Sequence, residues 1–165
     1  MEHQIVSHIE IQHKVKRIAY QIYEANVDET ELILAGISGG GLLFAEKLKE
    51  ILVQITTCNI LLCEVQMNKK NPVESGVTTS LSEDEYRNKS IVLIDDVLNS
   101  GTTLIYGVHH FLNTPLKQLK TAVLVNRNHK KYPVKADYKG ISLSTSLQEH
   151  VRVSFEKDND AVYLG

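Results

Sequence analysis

The chain has 165 residues, of which 42% are hydrophobic and 23% are charged, and its formal net charge is −2. This size and composition are typical of a single folded domain over residues 1–165 and exclude a disordered, low-complexity protein. The near-neutral charge gives no overall field that would attract nucleic acid or an anionic membrane.

No apolar run approaches the roughly 20 residues that span a bilayer. The first residues lack the charged-then-apolar pattern of a signal peptide, so we expect a cytoplasmic protein with no membrane partner. Two cysteines, Cys58 and Cys63, agree with that expectation. Their separation by five residues in a predicted strand places them on opposite faces, as reduced structural thiols.

Apolar residues first recur at helical spacing over residues 11–25. A continuous apolar run at residues 32–37 predicts a buried strand that enters a glycine loop with Ser38, Gly39 and Gly40. A helix over residues 42–52 and a strand over residues 57–65 follow. Residues 66–88 are polar throughout, which is typical of a functional lid or a disordered loop.

A buried strand at residues 90–94 leads through a small-residue turn to a helix over residues 102–112. Further strands are predicted at residues 121–125, 140–143, 151–155 and 161–164. The alternation of strands and helices predicts an α/β fold with a doubly wound, mainly parallel sheet flanked by helices and a small C-terminal hood. Ligands of such sheets bind at the carboxyl ends of the strands.

The most informative stretch is residues 91–104, where a hydrophobic strand ends in two adjacent carboxylates, Asp95 and Asp96. The turn that follows opens a helix, and its backbone N–H groups and the helix dipole suit a phosphate. The carboxylates suit sugar hydroxyl groups, or a cation that the ligand carries. The residues predicted to hold the phosphate are Leu98, Asn99, Ser100, Gly101, Thr102 and Thr103.

The same stretch has an ordinary structural explanation. Asp, Asn, Ser and Thr are common N-cap residues, and glycine is common in turns. The whole block still favours a binding site, because adjacent carboxylates at a buried strand end cost free energy unless a ligand or cation compensates them.

The block resembles the phosphoribosyl diphosphate signature of type I phosphoribosyltransferases. In that family the acidic pair contacts the ribose hydroxyl groups and the following loop holds the 5′-phosphate. A wider likeness to the PyrR family covers most of the chain, through the motifs at residues 17–24, 36–48, 122–129, 136–138, 145–149 and 160–163. PyrR-type proteins are uracil phosphoribosyltransferases, and some also bind pyrimidine-operon messenger RNA.

The resemblance implies transfer of phosphoribose from phosphoribosyl diphosphate to a pyrimidine base, uracil in the first place, giving UMP and diphosphate. It implies Mg²⁺ carried by phosphoribosyl diphosphate, and a homodimer or tetramer. It assigns Asp95 and Asp96 to catalysis. The diphosphate loop is then Ser38, Gly39 and Gly40, and the base-binding residues are Val125, Asn126, Arg127 and His129.

The chain also departs from the PyrR pattern. The family loop reads Gly-Ile-Lys-Thr-Arg-Gly, whereas residues 36–41 carry neither the lysine nor the arginine, and a second arginine is missing after the next strand. Lys69 or Lys70 could replace the lost charge. Asn99 stands where many purine-specific relatives carry an Asp that contacts the base, which argues against a purine substrate.

A second hypothesis therefore stays open: a PyrR-like RNA-binding regulator or nucleotide sensor with weak or no catalysis. Small basic clusters at residues 14–17 and 130–131 could touch RNA, although a solvated face is the more common meaning of such clusters. The histidine spacing fits no scheme for a metal held by protein ligands.

Overall fold

The computed structural model describes all 165 residues. In chain order its elements are β1 (His3–Val6), α1 (His8–Ala25), β2 (Glu31–Ile37), α2 (Gly40–Ile55), β3 (Asn59–Met67), α3 (Pro72–Ser75), β4 (Val77–Thr79), α4 (Glu83–Tyr86), β5 (Ser90–Leu98), α5 (Thr102–Phe111), β6 (Gln118–Arg127), β7 (Tyr138–Leu143), β8 (Val151–Ser154) and β9 (Ala161–Leu164).

Six strands form the main sheet, in the order β4-β3-β2-β5-β6-β7. All neighbours are parallel except β4, which is antiparallel to β3 at one edge. The chain leaves β2 towards one edge and β5 towards the other, so these two central strands form a switch point, where such sheets bind ligands. The expected α/β class with a mainly parallel sheet is confirmed.

The main sheet has a hydrophobic core on each face, because successive strand residues point in opposite directions. On one face, Leu34 and Ile94 belong to a core that includes the buried residues of α1 and α2. On the other, Ile33 and Leu93 pack in a core that includes Leu104 of α5. Complete burial of each such side chain contributes roughly 1.5–3 kcal/mol, which holds the strand ends in fixed register.

A second, three-stranded antiparallel sheet, β1-β9-β8, joins the two ends of the chain. Asp160, just before β9, has a fully buried carboxylate that accepts a hydrogen bond from Gln12 (2.8 Å) and pairs with Lys47 (3.2 Å). Its backbone N–H donates to Nδ1 of His8 at 3.0 Å. These contacts fasten the C-terminal strand to α1 and α2.

The polar segment 66–88 is ordered, which excludes the disordered loop, one of the two alternatives that the sequence left open. β3 continues to Met67, β4 folds back on it as a hairpin, and two single-turn helices complete the segment. Sequence periodicity misses such elements, because three or four residues are too few to display a period. β1, with four residues, escapes detection for the same reason.

Strand β5 runs four residues beyond its predicted end, to Leu98. Asp95 and Asp96 therefore belong to the strand and inherit its rigidity. Cys58 and Cys63 are both free thiols, and burial is the main cause that raises the pKa of Cys63. No helix combines the length and the hydropathy needed to cross a membrane.

The Asp160 cluster yields a stability prediction. Asp160→Asn removes the charge that pairs with Lys47, and a hydrogen bond to a charged group is worth roughly 1.5–3 kcal/mol. We expect the free energy of unfolding to fall by about that amount in urea denaturation at neutral pH. Asp158→Asn, on an exposed turn with φ 59° that Asn tolerates, is the matched control and should leave the denaturation midpoint unchanged.

Candidate active site

The candidate site lies at the carboxyl edge of β2, β5 and β6, which end side by side. Gly36 pairs with Ile94, and Leu98 pairs with Asn126, so the loops after these strands emerge next to one another. The backbone N–H of Ser38 donates to the carbonyl of Val65 on β3 (2.9 Å), which ties the glycine loop to a fourth strand. The structure thus brings the loops predicted at this edge together.

Asp95 and Asp96 stand at the centre of this edge. Asp95 is only 5% exposed, and Asp96 is half-buried. The N–H of Asp96 donates to Oδ1 of Asp95 (2.9 Å), and the N–H of Val97 donates to Oδ1 of Asp96 (2.8 Å). Neither carboxylate has a salt-bridge partner within 4.0 Å. Both retain oxygen lone pairs for a ligand.

Burial raises the pKa of Asp95 well above its ordinary value, and the negative charge of Asp96 raises it further. The positive charge of Lys69 acts in the opposite direction. An ionised pair is therefore costly unless hydrogen-bond donors or a cation arrive with a ligand.

The turn after β5, residues 99–103, has features that suit an anion, and it is called the phosphate turn below after its predicted role. Gly101 has φ 86°, a conformation that favours glycine, and α5 begins at the next residue. The hydroxyl groups of Ser100 and Thr102 lie 2.9 Å apart, and the N–H of Thr102 donates to Oγ of Ser100 (3.3 Å). A cleft of about 60 Å³ extends over this turn and is lined by Asp95, Val97, Leu98, Asn99, Ser100, Gly101, Thr102, Thr103, Leu104 and Val123.

Leu98 differs from the other predicted phosphate residues. Its side chain is only 2% exposed and packs in the core that faces α5. Only its backbone can serve a ligand. The turn itself is held from outside, because the N–H of Lys131 donates to the carbonyl of Ser100 (2.7 Å) and Val134 packs against Gly101.

The glycine loop after β2 lies beside the acidic pair. Gly39 has φ 92°, and a Cβ atom at this residue would lie 3.9 Å from Nζ of Lys69. A Cβ atom at Gly40 would collide with the carboxylate of Asp96. The hydroxyl group of Ser38 is buried without a hydrogen-bond partner. Asp96 thus occupies the space where a side chain at residue 40 would begin, and a lysine from a neighbouring turn stands over the loop.

The predicted base-binding residues have different surroundings. The side chain of Val125 is completely buried in the core, so only its backbone can meet a ligand. Asn126 donates to Oγ of Ser142 (3.3 Å), and its Oδ1 is buried without a partner. Arg127 is 4% exposed and donates to Thr145, Ser146 and Glu149, so it holds the loop of residues 145–149.

A second cavity, of about 280 Å³, adjoins the phosphate turn. Two of its residues, Leu147 and His150, carried no signal in the sequence, because a solvated leucine or histidine fits no motif. Lys131 was noted only as part of a basic cluster and not as a residue of this site. His129 was predicted and does line this cavity. The full lining is Asn99, Ser100, Arg127, His129, Lys131, Leu147 and His150.

Known proteins share this architecture. The phosphoribosyl transferase domain family matches residues 2–157. Bifunctional protein PyrR of Streptococcus pneumoniae is 30% identical over 98% of this chain and 95% of its own length.

Two solved structures show the same fold. The hypoxanthine phosphoribosyltransferase of Trypanosoma cruzi has a TM-score of 0.78 and 18% identity, covering 96% of this chain and 94% of its own. A hypoxanthine-guanine phosphoribosyltransferase from Bacillus anthracis has a TM-score of 0.71 and 22% identity, covering 86% and 82%. The full-length likeness to PyrR and the domain match agree with the strand-end carboxylates and phosphate turn described above, and the chain belongs to the phosphoribosyltransferase family, as a PyrR-like member.

Proposed function

We propose that this phosphoribosyltransferase transfers 5-phosphoribose from phosphoribosyl diphosphate to a pyrimidine base, with uracil as the first choice, and releases diphosphate. The observation that carries the proposal is the pair Asp95 and Asp96, which have no salt-bridge partner and directly precede a turn that offers N–H and hydroxyl groups. Sugar hydroxyl groups would donate to the pair, and the 5′-phosphate would accept from the turn.

The leaving diphosphate would meet the loop of Ser38, Gly39 and Gly40. Backbone N–H groups and the unpartnered hydroxyl of Ser38 are available there as donors. Of the two lysines that the sequence left open, Lys69 is favoured, because its Nζ lies 3.9 Å from the place of a Cβ atom at Gly39. It also forms no salt bridge. A cation in this position would stabilise the charge that develops on the departing oxygen.

Mg²⁺ is expected to come with the substrate. No group of three or more His, Cys, Asp or Glu side chains lies close enough to hold an ion. The carboxylates of Asp95 and Asp96 fit Mg²⁺ nonetheless, because this ion usually binds through one or two carboxylates together with substrate phosphates and water. When bound, it would neutralise part of the charge on the diphosphate.

The choice of a pyrimidine rests on the PyrR-like sequence and on Asn99, whose amide cannot act as the carboxylate of purine-specific relatives does. The structural neighbours that act on hypoxanthine are 18% and 22% identical to this chain, too distant to carry a substrate assignment. Uracil and hypoxanthine are therefore the two bases that an assay must separate.

A steady-state assay with phosphoribosyl diphosphate, Mg²⁺ and a panel of bases checks the proposal. We expect turnover with uracil that exceeds turnover with hypoxanthine. Asp96→Asn should reduce kcat/KM by roughly 10²-fold, because it removes one charged partner of the ribose. If no base gives turnover above that of Asp96→Asn, the proposal fails, and faster turnover of hypoxanthine would overturn the choice of a pyrimidine.

Asp95→Asn should raise the free energy of unfolding and lower turnover. The raised pKa of Asp95 means that the ionised carboxylate destabilises the folded state at neutral pH, and this cost disappears as the pH falls through the raised pKa towards the ordinary range of Asp. The variant should therefore be more stable than the wild type near pH 7.5, with a difference that shrinks near pH 4.5, while turnover falls. Urea denaturation at both pH values measures this, and a variant less stable at pH 7.5 would contradict it.

Lys69→Ala and Lys70→Ala form a matched pair on one turn. Lys69→Ala should lower kcat by roughly 10²-fold, the usual cost of removing one donor to a developing oxyanion. Lys70→Ala should leave kcat unchanged, because both lysines are exposed and only Lys69 lies against the glycine loop. Equal losses in the two variants would mean that a general positive charge matters, and not the position of Lys69.

A further inference from the structure

The imidazole of His129 is held in one tautomer. Its Nε2 lies 2.7 Å from the carbonyl oxygen of Thr145 and 3.2 Å from the hydroxyl of the same residue. A carbonyl oxygen only accepts hydrogen bonds, so Nε2 carries the hydrogen. Nδ1 has no partner in the structure, and in the neutral ring it presents a lone pair.

Hydrogen bonds fix both the loop that carries His129 and the loop that its ring contacts. On its own loop, the N–H groups of Lys131 and Tyr132 donate to the carbonyl of Ser100, at 2.7 and 3.3 Å. On the opposite loop, Arg127 donates to Oγ1 of Thr145 at 3.0 Å and to the carbonyl of Glu149 at 2.8 Å. The ring therefore keeps a fixed position relative to the phosphate turn.

His129 lines the cavity of about 280 Å³. This cavity shares Asn99 and Ser100 with the cleft of about 60 Å³ over the phosphate turn, which we call the phosphate cleft. A nucleotide whose phosphate lay on the turn could therefore reach this cavity with its base. Asn99 and Ser100 line both the cleft and the cavity, so the two pockets adjoin. A base in the cavity would therefore lie in the space that His129 lines.

The proposed reaction needs a proton acceptor here. A base that attacks through a ring N–H must lose that proton, and no carboxylate lines the cavity, while the amide of Asn99 is not basic. The other charged or titratable groups around it are Arg127, Lys131, His150 and Glu149. The first two are cations, the ring of His150 has no anchoring hydrogen bond, and the carboxylate of Glu149 already accepts from the N–H of Ser146 (2.6 Å).

We infer that His129 is the general base of the transfer, acting through Nδ1 on the ring N–H of the incoming base. This inference rests on the proposed function. As the base nitrogen forms its bond to C1 of the phosphoribose, the bond from C1 to the diphosphate oxygen breaks and its electron pair leaves with diphosphate. The proton passes to Nδ1, and the imidazolium later releases it to water. Histidine is the side chain most often used for this task.

His129→Gln tests the role without removing the anchor, because the Gln amide can still donate to the carbonyl of Thr145. We expect kcat to fall by roughly 10²–10⁴-fold, the usual contribution of a general base, with KM for phosphoribosyl diphosphate unchanged. The acidic limb of the wild-type pH–rate profile should disappear. His13→Gln, on the exposed face of α1, is the control and should keep the wild-type rate and profile.

The outcomes separate the two proposals. An inactive wild type, with every base tested, overturns the proposed function. An active wild type whose His129→Gln variant keeps the rate and the acidic limb overturns the inference alone, as does loss of the limb in His150→Gln only. If His129→Gln does not fold, ¹⁵N NMR of the wild-type imidazole decides: hydrogen on Nε2 is expected, and hydrogen on Nδ1 alone in the neutral ring overturns the inference.

Discussion

Burial of one carboxylate next to a second carboxylate, at the end of a buried strand, is the constraint on which the rest of the site depends. Asp95 and Asp96 are fixed by β5, and a rigid strand cannot separate them. The protein lowers the cost only in part, through the positive charge of Lys69 and two backbone N–H groups. Under the proposed function, the remaining cost favours ligands that bring hydroxyl donors or a cation, because such ligands stabilise the ionised pair.

The position of the acidic pair limits which side chains fit in the glycine loop. The carboxylate of Asp96 occupies the space beside Gly40, so the side chain that PyrR relatives carry there has no room in this arrangement. Under the proposed function, the positive charge comes instead from Lys69, on the turn between β3 and α3. A lysine is a compact charge on a flexible stem, whereas an arginine offers a rigid fork. In that role, Lys69 would stabilise the diphosphate with less geometric precision than an arginine.

The parts of this structure that depend on local sequence patterns could be predicted from the sequence. The apolar runs of β2 and β5 and the turn with Ser100 and Gly101 are continuous in sequence, so the loops after these strands could be placed at one edge of the sheet, where the structure has them. The partners of Arg127 lie 18 to 22 residues away, on a loop without periodicity, so nothing local reveals that this guanidinium holds a loop. Likewise, Lys69 and Lys70 are adjacent and equivalent in sequence, and only the folded hairpin distinguishes them.

The contact between the phosphate turn and the loop that follows β6 has a further consequence. The N–H of Lys131 and the side chain of Val134 contact the turn directly, so the same loop supports both the phosphate cleft and the cavity beside His129. These contacts hold the distance between the two pockets, and that distance would select the length of a nucleotide that occupies both. Under the proposed function, a nucleotide with a longer or shorter span between phosphate and base would require both loops to move together.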